Sequence, residues 1–162
     1  MGLDQLQKHD IKDLLPQAER DIAQSFLQEG LFDEAEEAAK RALEVASEPL
    51  SWTDLGSAQR IMGQVTHEQG RVSEEEDLLM VSMETLGQHG PRYKLARTYL
   101  ALGVAIASDV DRWDEARETL EKPRAIFQEL GAKLDLERIS ELDSRLASGN
   151  TSTFEERSEG DV

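Results

Sequence analysis

One sequence pattern occurs three times in this chain: GLFDEAEEAAKRALE at 30–44, GRVSEEEDLLMVSME at 70–84 and DRWDEARETLEKPRA at 111–125. The copies begin at intervals of 40 and 41 residues. Self-similarity at a fixed period of this length indicates a repeat architecture, in which each copy is one supersecondary unit and neighbouring units stack. We therefore expect three stacked copies of one unit.

The composition of the chain and the positions of its Gly and Pro residues predict that each unit is a pair of helices. Leu, Ala, Glu, Gln and Arg are abundant, whereas alternating runs of β-branched residues are nearly absent, which favours helices over strands. Gly and Pro residues separate the periodic segments and mark the turns between helices. The predicted helices are 16–29, 32–47, 52–69, 73–88, 91–108, 113–130 and 133–147.

Local signals refine three of these boundaries and predict one irregularity. Ser51 with Asp54, and Ser73 with Glu76, have the spacing of a capping box at a helix N-terminus. Pro91 suits the first position of a helix. Pro123 falls inside the helix predicted over 113–130, where a proline removes a hydrogen bond and clashes with the preceding turn, so we expect a kink or break near 119–123.

The repeat register also predicts where the two helices of each unit meet. Small residues recur at Ala23, Gly63 and Gly103, where the helices of a hairpin can cross closely. The closing segment 133–147 is amphipathic, and its candidate core positions are Leu134, Leu136, Ile139, Leu142 and Leu146. Its opposite face is charged, as a terminal capping helix requires.

The domain organisation follows from the extent of this periodicity. The repeat domain spans 16–147, and residues 1–15 form an N-terminal extension or partial helix. From residue 148 the apolar pattern stops, and residues 148–162 are typical of a disordered acidic tail.

The pattern resembles the tetratricopeptide repeat (TPR). In the first unit the resemblance rests on Ala23, Gly30, Phe32, Ala35, Ala42 and Leu43, and in the third on Tyr99, Leu102, Gly103, Trp113 and Ala116. The second unit matches at Gly63 and Gly70 but has Glu75 where a small residue is expected. The period near 40 is similar to that of the longer-helix subclass found in kinesin light chains and in bacterial regulatory arrays. The resemblance implies an all-α, right-handed superhelix of three antiparallel helix hairpins plus a C-terminal capping helix.

Charge and composition exclude several classes of function. The net charge of −16 argues against a general nucleic-acid binder and against association with anionic membranes. The chain has no cysteine, no visible signal peptide and no apolar run long enough to span a membrane, which is typical of a cytoplasmic protein.

No catalytic motif is apparent either. The sequence lacks a Gly-rich phosphate loop and an H-E-x-x-H motif. Its histidines, His9, His67 and His89, lie far apart, so no shared metal site is expected. We predict a protein that is not an enzyme and has no metal or other cofactor.

Helical geometry suggests a binding surface instead. In repeats of the TPR type, the first helix of each hairpin lines an inner groove. If the small residue faces the partner helix, positions three before it and one or four after it point into that groove. With Arg97 added one turn before Leu100, the candidate groove residues are Arg20, Gln24, Leu27, Arg60, Gln64, His67, Arg97, Leu100 and Val104.

Three arginines of a strongly acidic chain could therefore converge in one groove. The resemblance implies that basic residues there hold carboxylates of a bound peptide, although Ile61 and Ala101 replace an amide and a base of the family's carboxylate clamp. The alternative is that the arginines pair with neighbouring carboxylates such as Glu19, Asp21 or Glu68.

The sequence thus predicts a non-catalytic interaction module that binds a peptide or helix of a protein partner, with acidic or carboxylate-bearing segments preferred. Two alternatives remain open: a secretion or assembly chaperone for an aggregation-prone client, and a regulatory subunit or domain of a bacterial signalling or transcription system. Self-association through an incompletely capped end is also compatible with the pattern.

Overall fold

The computed structural model describes residues 3–47 and 51–149, with side chains from Leu14 onward except His89. In this part of the chain the elements are seven α-helices and one short 3-10 helix. The helices are α1 Leu3–Glu29, α2 Phe32–Ser47, α3 Trp52–Glu68, α4 Val72–His89, α5 Arg92–Ala107, α6 Trp113–Leu130 and α7 Lys133–Ser148, and the 3-10 helix is Val110–Arg112.

The helices form three antiparallel hairpins, α1–α2, α3–α4 and α5–α6, which stack in chain order. Helices α1, α3, α5 and α7 also contact one another in succession and make the inner layer, whereas α2, α4 and α6 make the outer layer. This is the superhelical arrangement of helix hairpins that the repeat pattern predicts, and α7 covers the end of the third hairpin.

Small residues allow the close crossing within each hairpin, as predicted. Ala23 is fully buried in the cluster formed with α2 and α3. A Cβ atom at Gly63 would lie 3.0 Å from Leu79 Cγ, and one at Gly103 would lie 2.6 Å from Leu120 Cδ2. Because Leu79 and Leu120 hold corresponding repeat positions, the same contact joins the helices of the second and third hairpins.

The turns inside the hairpins follow the repeat with one exception. Gly30 and Gly70 both adopt positive φ values, 75° and 74°, which glycine tolerates without steric cost. The third hairpin instead turns through the 3-10 helix, where the Asp109 carboxylate accepts a hydrogen bond of 3.0 Å from the Asp111 amide. The extra residue in the 41-residue interval is accommodated in this turn.

Several predicted boundaries need correction. Ser51 caps α3 as predicted, accepting from the Asp54 amide at 3.3 Å. Ser73 does not cap α4, because the helix already begins at Val72, and Pro91 precedes α5 instead of occupying its first position. Leu134, predicted to be a core residue, lies in the first turn of α7 and is 74% exposed.

Two prolines lie within helices. Helix α1 begins at Leu3 and continues through Pro16, so it crosses the predicted boundary at residue 15. Helix α6 runs continuously from Trp113 to Leu130 through Pro123, so of the kink or break that we expected, the break does not occur. The Pro123 ring is fully buried, and this apolar burial offsets part of the cost of the missing hydrogen bond. Residues 150–162, most of the predicted tail, lie outside the described residues.

Candidate peptide-binding groove

A groove of about 410 Å³ lies on the inner layer, lined by residues of α1, α3, α5 and α7 and by one residue of α4, Glu75. Its sides are the inward faces of the first helices, which run side by side because the hairpins stack in register. The lining combines basic, amide and apolar side chains: Gln24, Leu27, Gln28, Arg60, Gln64, His67, Glu68, Glu75, Arg97, Leu100, Ala101, Val104 and Arg138.

Eight of the nine candidate residues lie in this groove: Gln24, Leu27, Arg60, Gln64, His67, Arg97, Leu100 and Val104. The ninth, Arg20, lines an adjoining depression of about 190 Å³. Gln24, Arg60 and Arg97 line both spaces, which makes them parts of one continuous surface. The structure therefore brings the predicted residues together, while their role in binding stays a prediction.

Arg60 is the central basic residue of this surface. It is only 4% exposed, and its Nη1 donates to Gln64 Oε1 at 3.2 Å. Its Nε is buried without a hydrogen-bond partner, and no carboxylate forms an ion pair with it among the described residues. Burial, followed by the nearby charges of Arg97 and Arg20, lowers the pKa of Arg60 to about 9. The charge of Asp135 acts in the opposite direction, but at neutral pH the structure holds a buried guanidinium that no described carboxylate contacts directly.

Arg20 differs from Arg60 because it has a carboxylate partner. Its Nη1 lies 2.6 Å from Asp54 Oδ1, and Asp54 also accepts from the Ser51 hydroxyl at 2.7 Å. The predicted alternative, pairing with neighbouring acids, therefore holds for Arg20, although the partner comes from α3. Glu19 pairs with Arg41 instead.

Arg97 and Lys94 add two further positive charges on α5. Both are half-buried, and neither forms an ion pair within the described part of the chain. The pKa of Lys94 is lowered, first by burial and then by the charges of Arg20, Arg60 and Arg97. The α5 side of the depression therefore carries two positive charges.

Sequence reasoning missed Lys94 and Arg138. Lys94 lies one turn before Arg97, so extending the spacing rule by one more turn would have found it. Arg138 comes from α7, which we interpreted only as a cap, although the inner layer includes that helix. Arg138 is exposed and lies 3.8 Å from an Asp135 carboxylate oxygen.

The other end of the groove contains a buried carboxylate. Glu75 is 3% exposed and occupies the position of the fully buried Ala35 and Ala116 in the other units. Its Oε2 lies 3.0 Å from His67 Nδ1. This hydrogen bond raises the pKa of His67, against the opposing effect of burial. The departure of the second unit from the TPR pattern thus places a histidine–carboxylate pair in the groove.

Metal centres and membrane-spanning helices are two other classes of feature that the described residues bear on. No group of three or more His, Asp or Glu side chains is placed to hold a metal ion there. None of the described helices combines the length and apolar character that crossing a membrane requires.

Comparisons with known proteins support the fold. The structure matches a crystal structure of nearly identical TPR-like repeats from a Podospora anserina protein described as a kinesin light chain, with a TM-score of 0.57 and 19% identity. The match covers 72% of this chain and 57% of that one, so this chain spans little more than half of its length. No family model and no curated protein sequence matches the chain. The protein has the TPR-like repeat fold.

Proposed function

We propose that this protein is a non-catalytic interaction module whose inner groove binds an acidic peptide segment of a protein partner. The observation that carries the proposal is Arg60, a buried guanidinium with an unpartnered Nε at the junction of the groove and the depression. A protein retains such a group at a cost in stability, and an incoming anion would compensate it.

The groove combines this charge with apolar contact surface. Leu27, Leu100 and Val104 line it beside Arg60 and Arg97, so a bound segment could bury apolar side chains next to its acidic ones. A hydrogen bond to a charged group contributes about 1.5–3 kcal/mol when it is shielded from water. The arginines would therefore set orientation and register, while apolar burial supplies much of the affinity.

Affinity purification with matched variants tests the proposal. The double variant Lys94→Glu/Arg97→Glu reverses charge at half-buried positions, which spares the buried Arg60 and protects the fold. The control variant Lys133→Glu/Arg145→Glu makes the same charge change at exposed positions of α7 outside the groove.

The proposal predicts a partner that wild type and the control capture and that the groove variant loses. Circular dichroism should show that all three proteins are equally folded. Equal capture by the groove variant would contradict the proposal. A captured client that aggregates when the protein is withdrawn would identify the chaperone alternative within the same experiment.

A further inference from the structure

The depression beside the groove concentrates positive charge in a small volume. It measures about 190 Å³ and contains four cationic side chains, from Arg20, Arg60, Lys94 and Arg97. The only acidic residue that lines it is the exposed Asp21, and Asp54 already pairs with Arg20. Three cations therefore lack a carboxylate partner among the residues described.

These three charges disfavour one another in the free protein. Arg60 is nine-tenths buried, and both Arg97 and Arg20 lower its pKa in addition to the effect of burial. Lys94 experiences the same repulsion from three arginines. Since the effective dielectric constant is low at partly buried sites, a ligand that cancels this charge gains more there than at an exposed surface.

The charge and the hydrogen-bond donors of the depression favour some anions over others. A single carboxylate brings one negative charge, which leaves two cations uncompensated. A phosphate monoester carries about −1.5 to −2 charges and three strong acceptor oxygens at neutral pH. The donors include two guanidiniums, whose planar forks suit bidentate contacts with phosphate, and one ammonium. The small depression also favours one compact anion over two separate acidic side chains.

We propose that this depression binds a phosphate monoester, carried by a phosphorylated side chain of the segment that lies in the groove. Arg60 and Arg97 hold the phosphate oxygens through the terminal nitrogens of their guanidiniums, and Lys94 supplies the third charge. The inference rests on the proposed function for the location of the peptide, but the anion site itself can be tested separately.

The first experiment titrates the full-length, ¹⁵N-labelled chain with inorganic phosphate at constant ionic strength. The Nε–Hε signal of Arg60 reports on the electronic environment of its guanidinium, and acetate serves as the carboxylate probe. We expect saturable shifts of this signal, with phosphate binding at least tenfold tighter than acetate.

Variants locate the site. Lys94→Gln/Arg97→Gln should weaken phosphate binding at least tenfold, whereas the charge-matched control Lys133→Gln/Arg145→Gln should leave it unchanged. Equal affinities for phosphate and acetate, an unshifted Arg60 signal, or equal binding by the two double variants would each overturn the proposal.

The second experiment compares three synthetic peptides that differ only at one central residue: phosphoserine, serine or glutamate, flanked by leucine and alanine. We expect the phosphoserine peptide to bind at least tenfold tighter than the glutamate peptide. Equal binding of these two would overturn the phosphate site while leaving an acidic-peptide groove intact. Phosphate binding at Arg60, combined with partner capture that ignores the groove, would instead overturn the proposed function and uphold the anion site.

Discussion

At the scale of single residues, Arg60 shows which properties of the candidate site can be predicted from the sequence and which cannot. Its position three residues before Gly63 correctly predicted that it lies on the inner surface. Its burial could not be predicted, because the neighbouring walls come from α1 and α5, more than 30 residues away in sequence. The absence of a carboxylate partner is likewise a property of the packed helices, since Arg20 takes Asp54 from the same surroundings.

Arg60→Met tests whether the buried charge is costly. Methionine retains an apolar stem of similar reach and removes the charge, so we expect the free energy of unfolding to rise by about 1–2 kcal/mol. Urea denaturation at pH 7 measures the change. The control Arg145→Met, at an exposed position, should stay within about 0.5 kcal/mol of wild type. A loss of stability in Arg60→Met would show that the guanidinium is already compensated.

The His67–Glu75 pair predicts a pH-dependent contribution to stability. Because Glu75 raises the pKa of His67 in the folded protein, the pair stabilises most below the unfolded histidine pKa, near 6.5. That contribution is lost as pH rises through the folded pKa. The difference in unfolding free energy between wild type and Glu75→Gln should therefore shrink from pH 6 upward.

The variant His67→Gln provides the control for this experiment, because it removes the titrating partner. In the His67→Gln background, the effect of Glu75→Gln should be independent of pH between 6 and 9. A difference that grows with pH in the wild-type background would show that the pair does not act in this direction.

At the scale of helices, the repeat register correctly predicted the crossing points but not all helix ends. Gly63 and Gly103 are buried at the crossings because the pattern encodes packing between adjacent helices. The predicted start of α4 was wrong, because the helix begins at Val72, with Arg71 at its N-cap, before the capping signal at Ser73. Helix α6 continues through Pro123, whose ring is fully buried, and local helix propensity does not register such burial.

Gly→Ala substitutions test the crossings. At Gly103 a Cβ would lie 2.6 Å from the fully buried Leu120, so overpacking should outweigh the gain in helix propensity and cost about 1–2 kcal/mol of unfolding free energy. Gly63→Ala, with its nearest contact at 3.0 Å, should cost less. Thermal or urea denaturation measures the loss of unfolding free energy in each of the two variants.

Gly87 is the matched control, because it lies within α4 and a Cβ there would meet nothing within 4 Å. Gly87→Ala should stabilise the protein by about 0.5–1 kcal/mol. A stabilisation of similar size in Gly103→Ala would contradict the close crossing of α5 and α6.

At the scale of the whole molecule, the architecture could be predicted from the 40-residue period, whereas the charge distribution could not be predicted fully. The net charge of −16 describes the chain as a whole. The inner surface differs, since Arg60, Lys94 and Arg97 converge there without carboxylate partners among the described residues. Arg138 joins the groove only because α7 stacks beside the third hairpin, a relation that no single unit encodes.

Selection from a random peptide library tests the central claim most directly. Peptides that bind the wild-type chain are enriched, and the affinities of the enriched peptides for wild type and for Lys94→Glu/Arg97→Glu are then compared. The account predicts enrichment of sequences in which acidic residues stand beside apolar ones, with at least tenfold weaker binding to the variant. Enrichment of neutral or basic sequences, or acidic sequences that bind both proteins equally, would contradict the assignment of the inner groove as an acidic-peptide site.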